Sequence, residues 1–283
     1  MRYAETLPRG LSIGRLPSDA AGYAPYAEAG LQCLELSFTY DYCMNQIDFP
    51  ANAEAIGRDI RSAGLQPWSF HLPFSGRLEI AGSDAELHAV TLYTYRTLIH
   101  AAAQAGCQVI VLHPSSEPIA DDQRSGYLSR ARETIVTLQE ECARSGLRLA
   151  VENLPRTCLC RTSDEMIALL SGTGAGVVFD TNHALTEDNV AFLKALTAAG
   201  LPIHTLHLSD YFPDTNGVLD ERHVFPGDGI NRWQELFAVL EQHGYSGPML
   251  YETLSLRSGF RSVPATLQQL ADNMHRLASG EIQ

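Results

Sequence analysis

The chain has very little lysine and no long apolar run. Lys194 is the sole lysine among 283 residues, and it lies in the helical stretch from Glu187 to Ala199. Schiff-base chemistry on a lysine at a strand end, which many α/β barrels use, is therefore excluded. No apolar run approaches the roughly 18 residues that indicate a membrane span, and the N-terminus lacks a basic and apolar secretory signal. We expect a cytoplasmic protein with no membrane partner.

Basic charge is also scarce. The chain has 20 Lys and Arg against 33 Asp and Glu, which gives a formal net charge of −13. This charge argues against nucleic acid as a partner. The six cysteines are dispersed, mostly in apolar patterns, and so indicate buried thiols. A ligand or redox role for Cys158 and Cys160 is a minor alternative.

No linker, repeat or charge run divides the chain. Short apolar strand patterns alternate with amphipathic helix patterns from end to end. The strand-like runs fall near residues 11–14, 32–37, 66–72, 108–113, 147–153, 176–180, 203–209 and 247–253. Eight strands, each followed by a helical segment, predict an α/β fold, a single (β/α)8 TIM barrel over residues 1–283.

Several helix boundaries have recognisable signals. We predict that Ser18 begins a helix that Gly30 ends, and that Ser83 and Glu86 form a capping box. We also predict that Gly146 ends a long helix starting near residue 124.

Side chains that can hold a cation recur where the predicted strands end. Barrel active sites form at the carboxyl ends of the strands, so these side chains should lie together. Three carboxylates there would repel one another unless a cation or basic residues compensate, and the only lysine lies elsewhere. We therefore predict a metal site; its oxygen and imidazole ligands suit Mn²⁺, Mg²⁺, Zn²⁺ or Co²⁺. The predicted ligands are Glu152, Asp180, His207 and Glu252.

Other strand ends carry weaker candidates. Glu35, His71 and His113 close strands two, three and four, and His183 follows strand six. A histidine that closes a strand is more often a hydrogen-bonded structural residue than a ligand. His71 and His113 are therefore weaker metal candidates than the four residues above.

The chain resembles the sugar isomerase/epimerase branch of the xylose isomerase-like superfamily. Besides the strand ends, the matching segments are Asp180-Thr-Asn-His183, His223-Val-Phe-Pro-Gly-Asp-Gly229 and Gly244-Tyr-Ser-Gly247. The resemblance implies a divalent metal that chelates neighbouring oxygens of a sugar, a sugar phosphate or a polyol. It also implies that Glu152 and Glu252 move a proton next to the carbonyl through an enediolate. A homo-oligomer is compatible with this resemblance.

Substrate-binding residues are implied by the same resemblance, with two departures from ketose 3-epimerases. Arg156 and His183 match positions that contact substrate hydroxyls. Cys158 stands where those enzymes carry a glutamate, and Pro213 where they carry an arginine that Arg222 is a candidate to replace. The departures bear on the substrate more than on the chemistry.

The endonuclease IV branch of the same superfamily is the alternative. Its three-zinc site cleaves phosphodiesters, and a bridging Glu152 would then not be free as a base. The residues that resemble its ligands are His71, His113, Glu152, Asp180, His183, His207, Glu221, His223 and Glu252. The candidate loops are poor in the basic residues that hold a DNA backbone, so a small sugar or polyol substrate is favoured. A non-catalytic binding barrel ranks last, because all four core ligands are present.

Overall fold

A barrel of eight parallel strands forms the centre of the molecule. The computed structural model describes residues 2–283. Its twelve strands are β1 (Arg9–Ile13), β2 (Cys33–Ser37), β3 (Gln66–His71), β4 (Val109–Leu112), β5 (Arg148–Glu152), β6 (Gly176–Asp180), β7 (Ile203–His207), β8 (Asp210–Pro213), β9 (Leu219–Val224), β10 (Met249–Tyr251), β11 (Ser255–Ser258) and β12 (Arg261–Pro264). The barrel order is β10-β1-β2-β3-β4-β5-β6-β7, and a parallel bridge between Leu208 and Tyr251 closes it. The predicted (β/α)8 barrel is confirmed, and each predicted run overlaps a barrel strand, although β1 begins two residues before the predicted start at residue 11.

Helices connect the barrel strands and cover their outer faces. They are α1 (Ala24–Glu28), α2 (Phe49–Ser62), α3 (Ala85–Ala105), α4 (Arg124–Arg144), α5 (Ser163–Leu170), α6 (Asn189–Ala198), α7 (Trp233–His243) and α8 (Leu267–Ala278). Gly57 of α2 lies against α3, where an added Cβ would come within 2.0 Å of the Ala105 carbonyl oxygen. Among residues 2–283, none of the helices combines the length and the apolar character that a membrane crossing requires.

Two of the predicted helix starts are wrong by one residue. Asp84, not Ser83, caps α3, because its carboxylate accepts bonds from the amides of Glu86 and Leu87, both at 3.0 Å. Asp19, not Ser18, caps a 3-10 turn that precedes α1. The predicted ends hold: Gly30 and Gly146 follow their helices with φ of 82° and 74°, conformations that favour glycine.

The alternation of side chains along the strands decides which residues face the barrel interior. Val109, Val111, Ala150 and Val178 form a small apolar cluster separate from the main core. Residues two positions apart on a strand share a face, so Glu152 continues the row of Ala150, and Asp180 that of Val178. The apolar interior therefore ends in carboxylates at the carboxyl end of the barrel.

Two hairpins that the sequence did not predict extend the loops at this end. β8 and β9 pair antiparallel after β7, and β11 and β12 do so after β10. Asp210 anchors the first hairpin, because its carboxylate accepts bonds from Gly227, Ile230 and Asn231 amides and from Nε1 of Trp233 at 2.9 to 3.0 Å. β9 carries Glu221 and His223 back to the mouth of the barrel.

Candidate metal centre and active site

Four side chains from four strand ends meet at the mouth of the barrel. Glu152, Asp180 and His207 end β5, β6 and β7, and Glu252 directly follows β10. Each offers one ligand atom, and the four atoms all lie within 4.8 Å of one another. Glu152, Asp180 and His207 are fully buried, whereas the side chain of Glu252 is 22% exposed. The structure thus brings the four predicted ligands together.

Two histidines flank the opposite oxygen of Glu152. The Nε2 atoms of His71 and His113 both lie 3.3 Å from Oε2 of Glu152. Nδ1 of His71 lies 3.0 Å from the carbonyl oxygen of Leu72, to which it can donate, so Nε2 is the atom that faces the carboxylate. These three residues form a second group whose ligand atoms lie within 4.8 Å.

A third group lies nearer the solvent. His183, Glu221 and His223 also bring one ligand atom each within 4.8 Å of the others. Nδ1 of His183 lies 3.0 Å from the carbonyl oxygen of Asn153 and 3.3 Å from Oε1 of Glu152. His223 has a φ of 42°, uncommon for a residue with a side chain, so the hairpin holds it in a strained conformation.

Unpartnered oxygens test whether a cation fits the four-residue group. Oδ2 of Asp180 and Oε2 of Glu252 are buried and have no hydrogen-bond partner within residues 2–283. Buried polar atoms are nearly always paired, because an unpaired one costs roughly 1 to 3 kcal/mol. Two carboxylate oxygens left open beside an imidazole nitrogen are the donor set that a divalent cation requires. The residues therefore fit a metal ion.

Charge compensation within the cluster shifts its pKa values strongly. Burial, with the charges of Glu252 and Glu152, raises the pKa of Asp180 well above its usual range, against the pull of His183. Burial opposes protonation of His183, but Asp180 and Glu152 outweigh it and raise its pKa to about 9. Burial also disfavours ionised Glu252, yet the charge of His207 holds its pKa below the ordinary value. Without a cation, imidazolium protons balance the carboxylates.

A fifth carboxylate, Glu35, stands behind His207. Its two oxygens accept bonds from the hydroxyls of Ser12 at 2.9 Å and Ser69 at 2.7 Å. Nε2 of His207 lies 3.0 Å from its Oε1, while Nδ1 of the same ring faces Glu152 at 3.2 Å. The sequence predicts that Glu35 lies at a strand end but indicates no role for it. Its position between two buried leucines in β2 was the available signal, since that alternation turns it inward.

A cavity of about 380 Å³ opens above these groups. Its walls include His113, Glu152, Arg156, His183, His223 and Glu252. The volume falls within the roughly 300 to 1,000 Å³ of small-molecule sites. Every member of the three groups except His71, Asp180 and His207 lines this cavity and is within reach of a ligand of that size.

Arg156 crosses the wall of this cavity, fully paired with carboxylates. Its Nη2 donates to Glu117 Oε1 at 2.5 Å and its Nε to the same oxygen at 2.9 Å. Its Nη1 forms an ion pair with Glu221. Arg156 is the one Lys or Arg among the lining residues in the described chain. The cavity therefore offers no unbalanced cationic side chain.

The two departures noted in the sequence lie in different places. Cys158 lines the cavity, and burial raises the pKa of its thiol to about 12, so it stays protonated. Pro213 lies in β8 and is not among the described residues that line the cavity. Arg222 also lies outside that lining; it pairs with Asp220 at 2.9 Å and its guanidinium lies 5.5 Å from the ring centroid of Phe212. The structure does not bring Arg222 to the site.

Comparison with known proteins gives both sequence relatives and structural relatives. The chain is 27% identical over 199 residues to an uncharacterized protein of Methanocaldococcus jannaschii, over 68% of this chain and 66% of that protein, just under two thirds of its length. A D-tagatose 3-epimerase-like protein superposes with a TM-score of 0.77 at 19% identity, covering 98% of both chains. The 3-keto-D-glucoside 4-epimerase of E. coli superposes at 0.73 and 19% identity, over 96% of this chain and 99% of that one.

At these identities, the superpositions establish a shared fold. The family match is more specific. Residues 24–278 match the xylose isomerase-like TIM barrel family, and this span contains every residue of the three groups. The chain belongs to the xylose isomerase-like TIM barrel family.

Proposed function

We propose that this protein is a divalent-cation-dependent isomerase or epimerase of a small, unphosphorylated sugar or polyol. The observation that carries the proposal is the environment of Glu252. Its side chain is 22% exposed and lines the cavity, and it belongs to the four-residue group that would hold the cation. With its buried oxygen on the cation, the second oxygen of this carboxylate is available to accept a proton.

Glu152, Asp180, His207 and Glu252 would hold the cation. When bound, a divalent cation polarises a sugar carbonyl and offsets negative charge that develops on it. Their three carboxylates and one imidazole suit Mn²⁺, Mg²⁺, Co²⁺ or Zn²⁺.

The two glutamates differ in their freedom to move a proton. Glu252 is ionised at neutral pH and accepts the proton when the C–H bond next to the carbonyl breaks, which leaves an enediolate. Returning that proton to the neighbouring carbon completes an isomerisation, provided that the hydroxyl proton passes from one enediolate oxygen to the other. Delivery from a second acid on the opposite face completes an epimerisation. Glu152 is 1% exposed and has imidazole nitrogens at both oxygens, so we assign Glu252 the first proton transfer.

The charges of the cavity favour a neutral substrate. Glu117 and Glu221 already neutralise Arg156, and Glu152 and Glu252 add negative charge to the wall. A phosphate group is normally held by unpaired arginine or lysine side chains or helix N-termini. Similar structures named as a D-tagatose 3-epimerase-like protein and a 3-keto-D-glucoside 4-epimerase support the reaction type.

Hydrogen exchange from substrate tests the proposal. Cation-loaded protein is incubated in D2O with a panel of free ketoses and aldoses, and deuterium at the carbon next to the carbonyl is followed by NMR. Glu252→Gln should lower exchange at least about 100-fold, because it removes the acceptor of the proton. Glu165→Gln is the control, since Glu165 pairs with Arg124 away from the cavity. Exchange that survives in Glu252→Gln, or is absent from the whole panel, contradicts the proposal.

A second candidate, a multinuclear phosphodiester hydrolase of the endonuclease IV type, is favoured by one observation. Glu152 belongs both to the four-residue group and to the group with His71 and His113, and His183 begins a third group beside it. A carboxylate shared in this way suits a bridging ligand. Because the cavity wall carries glutamates and its one arginine is already paired, it is poorly suited to bind a negatively charged phosphodiester.

Metal content separates the two candidates. The isomerase requires one ion per chain, whereas the hydrolase requires three. Three zinc ions per chain together with nicking of a duplex that contains an abasic site would reverse the ranking. One ion per chain without nicking would exclude the hydrolase.

A further inference from the structure

A carboxylate at the back of the metal centre makes no contact with the cavity. Glu35 is fully buried and is not among the cavity-lining residues of the described chain. Its neighbours in the sheet are Ser12 on β1 and Ser69 on β3, each directly opposite it in the strand register. Three strands thus present one acid and two hydroxyls at one level of the barrel.

The hydrogen bonds of Glu35 fix its orientation. Ser12 donates to Oε1 at 2.9 Å and Ser69 donates to Oε2 at 2.7 Å. The hydroxyls hold the carboxylate in place, and both of its oxygens still face Nε2 of His207, at 3.0 and 3.2 Å. The ring of His207 therefore cannot turn without breaking a bond to a buried charge.

We infer that Glu35 is a positioning residue, which holds His207 so that Nδ1 is directed at the cation site. Nε2 donates its proton to Glu35, and Nδ1 then presents its lone pair toward Glu152, Asp180 and Glu252, at 3.2, 3.8 and 3.3 Å from the nearest oxygen of each. A carboxylate behind a ligating histidine sets its tautomer and ring orientation and makes it a stronger ligand. The inference rests on the cation site of the proposed function but not on the reaction catalysed there.

Cation affinity tests the inference through a graded pair of variants. Glu35→Leu removes the acceptor, while Glu35→Gln keeps one oxygen that can accept the Nε2 proton. Loss of an orienting partner typically weakens metal binding about 10- to 100-fold. We expect the dissociation constant for Co²⁺, measured by chelator competition, to rise in that range for Glu35→Leu and by less for Glu35→Gln. The visible spectrum of bound Co²⁺ should change in both.

A matched variant separates positioning from general loss of stability. Glu165→Gln also removes a largely buried carboxylate, but one that pairs with Arg124. It should leave Co²⁺ affinity within about twofold of wild type and its spectrum unchanged, whatever its effect on unfolding. If Glu35→Leu fails to fold, Glu35→Gln carries the test, because it preserves size and shape.

The outcomes distinguish this inference from the proposed function. Wild-type affinity and spectrum in Glu35→Gln would overturn the positioning role, as would an equal loss in Glu165→Gln. Weakened Co²⁺ binding in the Glu35 variants supports it, even if no sugar exchanges hydrogen. A wild-type protein that binds no divalent cation overturns both.

Discussion

Replacing Asp180 by asparagine should stabilise the metal-free protein and remove most of the stabilisation that a bound cation gives. Oδ1 of Asp180 accepts a bond from the amide of Asn182, a role that an asparagine oxygen can keep. Oδ2 is buried without a hydrogen-bond partner within residues 2–283. The raised pKa of Asp180 means that its surroundings prefer a neutral group there, even beside two imidazoles. An asparagine supplies that neutral group, and its amide nitrogen can donate to neighbouring carboxylates.

The magnitudes follow from these contacts. Relief of one unpaired, buried carboxylate oxygen should raise the free energy of unfolding of the metal-free protein by about 1 to 3 kcal/mol. A cation present at 100 times its dissociation constant stabilises wild type by about 2.7 kcal/mol. Asp180→Asn lacks a charged ligand and should lose most of this gain. The variant is therefore the more stable protein without a cation and loses that advantage when one is added.

Asp210→Asn is the matched control, because Asp210 is equally buried and differs mainly in its bonds. Both of its oxygens accept bonds, with Gly227 and Trp233 donating to Oδ2. An amide nitrogen in that position faces donors, so this variant should be destabilised by several kcal/mol. Urea unfolding with and without Mn²⁺, after dialysis against a chelator, measures all three proteins. The reasoning fails if Asp180→Asn destabilises the metal-free protein as Asp210→Asn does, or if it keeps the full response to Mn²⁺.

Three further predictions concern pH, charge and packing. The pKa of His183 is raised to about 9, so the stability that its protonation contributes is complete below about pH 6.5 and lost as pH rises to about 9. The urea midpoint of the metal-free protein should therefore fall across that pH window. A midpoint that does not change with pH would contradict the raised pKa of His183. Glu117→Gln removes one of the two carboxylates that neutralise Arg156. Binding of inorganic phosphate, measured by calorimetry, should therefore strengthen several-fold over wild type. Unchanged phosphate affinity would contradict the inference that paired carboxylates keep Arg156 from binding phosphate. Gly57→Ala should lower the free energy of unfolding by about 1 to 3 kcal/mol, because the added Cβ meets a backbone oxygen. In Gly126→Ala, in α4, the added Cβ meets the flexible end of an arginine side chain at 3.2 Å, so this variant should be neutral or stabilising. Equal unfolding midpoints for the two variants would contradict the packing argument.

The barrel and its core ligands were predictable because they depend on order along the chain. Eight apolar runs separated by helices leave few arrangements other than a closed parallel barrel, and a parallel barrel collects its strand ends at one mouth. This order alone predicts that the side chains of Glu152, Asp180 and His207 lie close together. The prediction that residues 1–283 form a single domain stays a prediction.

Features that depend on side-chain direction or on distant pairing were not predictable. The pairing of Arg156 with Glu117 and Glu221 joins the loops that follow β4, β5 and β7, and no sequence spacing encodes it. The role of Glu35 depends on which nitrogen of His207 faces it, which only the arrangement of three neighbouring strands decides. The strand that carries His223, β9, is short and largely polar, so it lacks the apolar pattern by which strands are recognised.

The asymmetry between the two glutamates is the point at which structure changes the chemical interpretation. In the sequence, Glu152 and Glu252 are equivalent acids at strand ends, and the family resemblance lets them exchange a proton as partners. In the structure, four imidazoles approach Glu152, whose side chain is 1% exposed, whereas the side chain of Glu252 lines the cavity and is 22% exposed. A carboxylate surrounded by so many imidazole nitrogens is better suited to act as a metal ligand than as the base that accepts a proton from the substrate. The second acid of an epimerase would then have to come from the cavity wall, and without one the chemistry reduces to isomerisation on a single face of the substrate.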